Sequence, residues 1–257
     1  MTLLERPALI DELESGRLRA AEPDPGARGG WRIRPEVKTA ILERFADRTL
    51  VEWPVGPFRF RDRIGLPTHD LADPGLRVVP GGTSVRAGAH LGDGVVLMPP
   101  SFVNIGAWVG PGTMIDSHVL VGSCAQIGAR VHLAAGVLVG GVLEPPGAQP
   151  VIVEDDAFVG AGTALLEGVL VGAGAVIGAG VTLTGTSVLF DLVRGRVVRG
   201  TTDEPLAVPP RGVVVPGTRR LAGAFAEEHG LAIATALLVK DRDEGTDARV
   251  ALEDALR

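Results

Sequence analysis

The chain has 257 residues, of which 46% are hydrophobic, and its formal net charge is −6 at pH 7. This length fits one large domain or one flanked by smaller ones, and the acidic balance lacks the basic field that nucleic-acid binding requires. A single cysteine, Cys124, excludes an internal disulfide and a thiolate metal cluster. We therefore expect a globular protein with no nucleic-acid partner and no thiolate-bound metal.

The N-terminal segment is predicted to be helical. Its first residues, MTLLERPALIDELESGRL, carry acids and arginines every few positions and contain no apolar leader region. This composition favours a cytoplasmic protein without a membrane partner. Helical patterns lie around residues 3–16 and 35–46, joined by the loop AAEPDPGARGG. Residues 1–76 are expected to form an N-terminal helical domain.

An internal repeat dominates residues 77–190, where an aliphatic residue recurs at every sixth position. The first series is Val85, Leu91, Leu97, Val103, Val109, Ile115, Val121, Ile127, Leu133 and Val139. After a phase break, the second series is Val153, Val159, Leu165, Val171, Ile177, Leu183 and Leu189. Because a period of six cannot give one apolar stripe on an α-helix, each hexad is interpreted as a short strand ended by a turn.

Three such hexads make one triangular coil, with the aliphatic residues inside and glycine at many corners. Stacked coils would then bury continuous aliphatic ladders that no single coil could bury. The pattern resembles that of the left-handed parallel β-helix, so the predicted fold is mainly β, with the helical domain before it and a small cap after it.

The phase break falls on EPPGAQPVI, residues 144–152, where three prolines and a glycine rule out a regular coil. We interpret it as an extruded loop, either functional or a tolerated surface insertion. Residues 191–257 are predicted to form the C-terminal cap, with short strands in LVRGRVV, RGVVVPGT and LAIATALLVKDRD and a final helix in ALEDALR.

Several motifs occur in order through the repeat: VLMPPSFVNIGAWV, GTMID, VGSCAQIG, GGVLEP, IVEDDAFVGA and LEGVLV. They resemble those of the tetrahydrodipicolinate N-succinyltransferases, acyltransferases of lysine and diaminopimelate biosynthesis. The resemblance implies a homotrimer with each active site in a groove between subunits. There succinyl-CoA, or another acyl-CoA, would donate to the amine of a dicarboxylate acceptor such as tetrahydrodipicolinate, without a metal.

The resemblance also assigns roles to individual residues. Asp116 in GTMID matches the family's acidic residue at the substrate amine, although an aspartate at a coil corner is also a common turn former. Arg77 matches an arginine that binds substrate carboxylate, for which a guanidinium is well suited; the alternative is a solvated arginine. Glu144 in GGVLEP is expected to contribute to substrate binding, by orienting the extruded loop or the pantetheine, or else to act as a plain cap.

Histidine is a common general base in hexapeptide acyltransferases, which makes His118 a second candidate base beside Asp116. A histidine on a coil is also often a corner residue. The five histidines lack the spacing of a zinc-binding γ-class carbonic anhydrase.

Coenzyme A is expected along two neighbouring coils, at Gly160 and Ala161 and at Gly178 and Ala179. Two further arginines, Arg219 and Arg220, could contact its phosphates or simply be solvated.

The sequence departs from the family in one stretch. The family pattern G-A-R-S-E is replaced by the residues from Gly160 to Ala164, so that Gly162 stands for an arginine and Ala164 for a functional glutamate. Residues 160–164 and 178–180 are expected to stack as one less charged wall. A paralogue that uses another amine or acyl-CoA, and a non-catalytic trimeric scaffold, therefore stay as alternatives.

Overall fold

The computed structural model of the protein describes residues 6–201 and 204–247. Its main body is a three-sided β-helix in which each hexad contributes a two-residue strand. The second residue of each strand is the repeated aliphatic one, and it is buried, as Val109 is beside the half-buried Trp108. The predicted hexad pattern of strand and turn is confirmed.

Three parallel sheets form the sides of this body. The first sheet contains His90–Leu91, Trp108–Val109, Gln126–Ile127, Ile152–Val153, Leu170–Val171 and Ala207–Val208. The second contains Arg77–Val78, Val96–Leu97, Met114–Ile115, His132–Leu133, Phe158–Val159 and Val176–Ile177, and it continues into the C-terminal strands. The third contains Ser84–Val85, Phe102–Val103, Leu120–Val121, Leu138–Val139, Ala164–Leu165 and Thr182–Leu183.

Successive coils stack in parallel register. Met114 pairs with Val96 of the coil before it and with His132 of the coil after it. The phase break does not interrupt the stack, since Gln126 pairs with Ile152 while the additional residues leave the coil as the extruded loop. The two series of the repeat therefore form one continuous β-helix with a rise of about 4.8 Å per coil.

The core is the inner aliphatic ladder. All of the repeated aliphatic residues belong to one buried cluster, and most of them, including Ile115, Leu133 and Ile177, have no exposed surface. Burying each such side chain contributes about 1.5–3 kcal/mol, so the ladder outweighs the weak intrinsic preference of two-residue strands. Rigidity of this body follows from the repetition of the contact at every coil.

The N-terminal segment combines helices and short strands. It contains helix α1 (Arg6–Glu14), the strand pair Ala21–Pro23 and Trp31–Ile33 around a 3₁₀ turn at Arg28–Gly30, and helix α2 (Pro35–Arg44). Pro35 begins α2, where its fixed φ suits the helix and its missing N–H removes no hydrogen bond. The positive charge of Arg44 in the last turn interacts favourably with the helix dipole.

Helices α1 and α2 pack on the edge where the third sheet meets the first. Their buried residues Leu13 and Ile41 share a second apolar cluster with Ile105 and Cys124 of the β-helix. The fit is close, since a β-carbon at Gly106 would lie 2.7 Å from Cδ1 of Ile41. Glycine at this corner therefore permits the contact.

A cation–aromatic stack joins the N-terminal segment to the first sheet. The Arg19 guanidinium lies 3.8 Å from the ring centre of Trp108 and 5.5 Å from that of Trp31, and it donates to Oε1 of Gln126 at 2.9 Å. Trp31 in turn donates its indole N–H to Glu154 at 2.9 Å. Burial lowers the pKa of Arg19 to about 10, so it stays charged near neutral pH.

One element departs from the expected helical character of residues 1–76. Residues Leu50–Val55 and Phe58–Arg63 form an antiparallel hairpin, which the sequence did not predict. Phe58 and Phe60 are exposed, and no described side chain of the hairpin is fully buried, so the strands lack the buried apolar face that a pattern could have detected.

The C-terminal segment adds Val188–Asp191, Arg196–Arg199, Gly212–Arg220 and Ala232–Asp241 to the second sheet, and helix α3 (Ala224–Glu228) lies between the last two strands. The predicted short strands are present. The predicted final helix ALEDALR, residues 251–257, lies outside the described residues. No helix in the described ranges is both long enough and apolar enough to cross a membrane.

Candidate active site

The turns between the second and third sheets stack into one edge of the β-helix, which we name the Asp116 edge: residues 98–101, 116–119, 134–137, 160–163 and 178–181. One hydrogen bond between backbone groups joins each turn to the next. Amide N–H groups of His118, Gly136, Gly162 and Gly180 donate to the preceding turn's carbonyl oxygen at 2.6, 2.8, 3.0 and 2.9 Å. Most of the residues that the sequence selected therefore lie on one line.

Asp116 follows the strand Met114–Ile115 and is partly exposed. Its amide N–H donates to the carbonyl oxygen of Leu133 at 3.0 Å, which stacks it on the next coil. Its carboxylate oxygen Oδ1 accepts the amide N–H of Ser117 at 2.6 Å. The turn-forming role is thus present, and the second carboxylate oxygen has no donor in the part of the chain that the structure describes.

His118 lies two residues further along the same turn and is exposed. Its backbone has φ of 62°, in the left-handed region where the equivalent positions of the later coils carry Gly136, Gly162 and Gly180. Holding a residue with a β-carbon there costs about 1–2 kcal/mol. The strained corner keeps the imidazole at the surface beside Asp116.

A row of free backbone donors runs along the Asp116 edge beyond Asp116. The amide N–H groups of Ala135, Ala161 and Ala179 have no acceptor among residues 6–201 and 204–247. Ala135, Ala161 and Ala179 are all exposed. Each is the second residue of its turn, so the donors repeat at about 4.8 Å, the spacing of the coils.

At two turns of the edge between the first and second sheets, the amide at the same position has an acceptor. There the amide N–H of Ala129 donates to Oδ1 of Asp155 at 2.9 Å, and that of Ala173 donates to Oε2 of Glu154 at 2.9 Å. Those donors are already satisfied by carboxylates. On the Asp116 edge no side chain of the described residues accepts the amides of Ala135, Ala161 and Ala179, and the donors stay available to a ligand.

The glycines of the Asp116 edge serve two different needs. A β-carbon at Gly160 would lie 2.6 Å from the amide nitrogen of Ala179, so only glycine allows these coils to stack. A β-carbon at Gly162 would meet no atom within 4 Å, and glycine there fits a φ of 67°. Gly162 and Gly180 therefore leave the surface beside the free donors low and open.

Arg77 is exposed on the second sheet, where it pairs with Val96 and, through it, aligns with Met114. Two coils, or about 10 Å, separate its strand from the one that precedes Asp116. Arg77 thus lies on the sheet that borders the Asp116 edge.

Ala164 lies around the corner from Gly160 and Gly162. It is on the outer face of the third sheet, between Leu138 and Thr182. The prediction that residues 160–164 form one wall with residues 178–180 is therefore wrong for Ala164. Residues 160–162 stack on 178–180, but Ala164 belongs to the adjoining face. The stretch crosses from turn to strand at Thr163, whose hydroxyl donates inward to Gly178 O at 3.0 Å.

Glu144 is exposed at the start of the extruded loop, on the edge between the third and first sheets. The Asp116 edge is a different corner of the same prism. A single chain therefore does not bring Glu144 to Asp116.

Arg219 and Arg220 are exposed at the end of the strand Gly212–Arg220. That strand stacks its first half on Val176–Ile177 and passes close to Gly178, where a β-carbon would lie 3.5 Å from Cα of Val215. The arginines therefore belong to a hairpin that leaves the β-helix at the Asp116 edge.

A cavity of about 760 Å³ lies elsewhere, over the first sheet, and no motif of the sequence indicates it. Its walls come from the N-terminal segment at Trp31, from the extruded loop at Ala148 and Gln149, and from Leu170 and Arg199. In the described ranges, no group of three or more His, Cys, Asp or Glu residues is arranged to hold a metal ion.

Comparison with known proteins gives consistent results. Residues 150–185 match the hexapeptide repeat of succinyl-transferase. The chain is similar to 2,3,4,5-tetrahydropyridine-2,6-dicarboxylate N-succinyltransferases from Xylella fastidiosa, 41% identical over 97% of this chain and 86% of that protein, and from Idiomarina loihiensis, 42% identical over 97% and 87%.

A solved structure from Campylobacter jejuni, named as a 2,3,4,5-tetrahydropyridine-2-carboxylate N-succinyltransferase, matches 93% of this chain and 63% of that one with a TM-score of 0.51. Since the two are only 15% identical, this match speaks for the fold alone. Together with the hexapeptide match, it identifies the stacked coils as a left-handed β-helix.

Proposed function

The chain belongs to the 2,3,4,5-tetrahydropyridine-2,6-dicarboxylate N-succinyltransferase family, and from that membership we propose that it moves the succinyl group of succinyl-CoA to an amine of the tetrahydrodipicolinate class. It is an acyl-CoA-dependent acyltransferase. In the reaction the amine nitrogen bonds to the thioester carbonyl carbon, the carbon–sulfur bond breaks, and the proton lost by nitrogen passes to the released thiolate, which leaves as the free thiol of CoA.

The observation that carries the proposal is the row of free amide donors on the Asp116 edge. An acyl-CoA has amide carbonyls along its pantetheine arm and a thioester carbonyl at its end, and both are hydrogen-bond acceptors. The N–H groups of Ala161 and Ala179 are suited to hold the arm, and that of Ala135 is suited to polarise the thioester as the oxyanion forms.

Asp116 is proposed as the base that takes the amine proton. Its Oδ1 is held by Ser117 N–H, so the carboxylate has a fixed orientation and its other oxygen is available to the substrate. A positioned base of this kind contributes about 10²–10⁴-fold to the rate. His118 is exposed on the same turn and is the alternative base.

The other residues that the sequence selected would contact the ligands from positions around the Asp116 edge. Arg77 would bind an acceptor carboxylate from the second sheet, and Arg219 and Arg220 would bind CoA phosphates from the hairpin. Gly160 and Gly178 would form the floor under the pantetheine arm, since both lack a side chain at the surface.

We propose a homotrimer with the site in the groove between neighbouring subunits. Because Glu144 and Asp116 lie on different edges of one chain, a second subunit is the natural source of the extruded loop at each site. The domain division at residues 76 and 190 and the cytoplasmic location expected from the sequence belong to the same proposal.

A second candidate is an acyltransferase for another amine or another acyl-CoA. It is favoured by the surroundings of Ala164, which lies beside Leu138, a side chain with 39% of its surface exposed, on the outer face of the third sheet. This part of the face is apolar where the family pattern has a carboxylate. A smaller or less charged acceptor group would fit such a surface better than an ammonium group.

The deciding experiment follows thiol release from succinyl-CoA and from acetyl-CoA with tetrahydrodipicolinate as acceptor. Turnover with succinyl-CoA at a kcat of about 1–10³ s⁻¹ supports the first candidate. Acyl-CoA binding without turnover of this acceptor supports the second, and gain of turnover in Ala164→Glu would identify the third-sheet face as the cause. Absence of any acyl-CoA binding would contradict both and favour a non-catalytic scaffold.

A further inference from the structure

Helix α2 buries a lysine completely. Lys38 has no exposed surface and stands next to the apolar Val37 on the face that α2 turns to the β-helix. The sequence contains only one other lysine, Lys240, which is exposed and paired with Asp243. Almost all other basic residues of this chain are arginines, so the presence of a lysine at a completely buried position needs a specific explanation.

Both hydrogen bonds of the Lys38 ammonium group in the described structure go to the extruded loop. Its Nζ donates to the carbonyl oxygen of Ala148 at 2.8 Å and to that of Pro145 at 3.4 Å. The same Pro145 oxygen accepts the amide N–H of Ala148 at 2.9 Å, which closes the loop into a turn around the ammonium group. The far end of the loop is held separately, by Gln149 Nε2 donating to Gly168 O at 2.7 Å.

This arrangement is energetically costly compared with an apolar one. Burial lowers the pKa of Lys38 below that of a free lysine, and no carboxylate forms an ion pair with it among the residues described. A buried charge can often be replaced by an apolar side chain without loss of stability. What an apolar side chain could not do is fix the two loop carbonyls at one distance and angle from α2.

We propose that Lys38 is a positioning residue that holds the extruded loop, and with it Glu144, in the conformation needed for acyl transfer. This rests on the proposed function, in which the loop forms one wall of the site between subunits. Without the ammonium group, the loop would sample several conformations, and a substrate would have to order it on binding. That cost raises KM more than it lowers kcat, because the apparent affinity falls with the fraction of competent loop.

The first test does not depend on activity. In Lys38→Met, which keeps the length of the side chain and removes its charge, the amide of Ala148, which Pro145 O accepts in the parent, should exchange with deuterium at least about tenfold faster. The amides of Ile115 and Ile127 in the core should exchange at the parental rate. Lys240→Met is the matched control and should leave the loop unchanged.

The second test is kinetic and uses whichever acyl donor and acceptor the parent protein turns over. We expect KM in Lys38→Met to rise roughly tenfold, the value of one charged hydrogen bond, with a smaller change in kcat. Parental KM together with parental loop exchange would overturn the proposal. Faster loop exchange in a protein that turns over no acyl-CoA would retain the tether and reject the proposed function instead.

If Lys38→Met does not fold, chemical modification of the parent protein tests whether Lys38 holds the loop. An amine-reactive reagent should modify Lys240 quickly and Lys38 only at the rate at which the Ala148 amide exchanges, because one opening of the loop exposes both groups. Modification of Lys38 only on global unfolding, while the loop amides exchange freely, would show that the lysine does not control the loop.

Discussion

A single carboxylate at Asp116 serves the turn and is available to the substrate. One oxygen accepts Ser117 N–H and shapes the corner, whereas the other has no donor within the described chain. The two interpretations that the sequence left open, a turn former and a carboxylate at the substrate amine, are therefore compatible. Residues at coil corners can carry both tasks because the turn needs only one of the two oxygens.

Asn at position 116 should separate these two tasks. In Asp116→Asn the amide oxygen can still accept Ser117 N–H, so the fold should be kept, while the loss of the base should lower kcat by about 10²–10⁴-fold. Thiol release measures the rate, and circular dichroism during heating measures the fold. Parental turnover in this variant would show that Asp116 is not the base and that His118 or another residue takes the proton.

Cys124 should be inert in the folded protein. It is completely buried between α2 and the β-helix, and burial raises the pKa of its thiol to about 12. Since the thiolate is the reactive form, a disulfide reagent near pH 8 should modify less than about one part in ten of the protein until denaturant is added. Rapid stoichiometric modification under native conditions would contradict this packing.

Sequence reasoning at this scale depended on side chains that carry chemistry. It selected Asp116 and the neighbouring glycines from the motifs, and the structure brings most of them to one edge. It named Ala161 and Ala179 as residues that bind coenzyme A. It could not predict which backbone N–H groups are free, because that depends on the acceptors that the fold places beside them, as Glu154 is placed beside Ala173 on another edge.

Elements with a strong period were predictable, and elements without one were not. Each hexad of the β-helix repeats the same buried position, so the period fixes both strand and turn. The hairpin Leu50–Val55 and Phe58–Arg63 exposes most of both strands and offers no such contrast. The prediction for Ala164 was wrong for a related reason. The hexad period assigns a residue to a face only if the corner between two sheets is located, and the stretch from Gly160 to Ala164 crosses such a corner.

The docking of the N-terminal segment should weaken in acid. His90 stacks on Trp108 with 5.1 Å between ring centres, its Nδ1 lies 2.7 Å from the carbonyl oxygen of Glu14, and burial is the main cause that lowers its pKa. Arg19, Asp93 and His69 also act on it. Because the folded pKa lies below the ordinary value of 6.5, the unfolded chain binds the proton first.

This stability is present above pH 6.5 and is lost as the pH falls through the lowered pKa of His90. Measured against pH 7.5, denaturant unfolding at about pH 5 should show a smaller free energy of unfolding. In His90→Gln this part of the acid dependence should disappear. An unchanged slope between parent and variant would assign the acid sensitivity to other groups.

At the scale of the whole molecule, the three edges of the prism have different tasks. The edge between the third and first sheets carries helices α1 and α2 and the extruded loop. On the edge between the first and second sheets, carboxylates accept the amides of Ala129 and Ala173. The Asp116 edge is the candidate for the ligand because the free donors of three successive coils lie there on the same line as Asp116.

Mixed oligomers test whether a site needs two subunits. Asp116→Asn and Glu144→Gln should each be impaired, and denaturing them together and refolding should restore activity in about a quarter of the sites, where each half is unaltered. Light scattering should give three times 26.6 kDa for the assembly. No recovery in the mixture, at a trimeric mass, would mean that both residues serve a site within one chain.

The repetition of Ala135, Ala161 and Ala179 along one line has a consequence for recognition. Equally spaced identical donors hold a linear molecule equally well after it slides by one coil, about 4.8 Å. Such a row supplies affinity but does not determine alignment. The alignment of a thioester with Asp116 must then be set at the two ends of the ligand. Truncated CoA analogues should therefore still bind, but with their carbonyl beside the wrong coil.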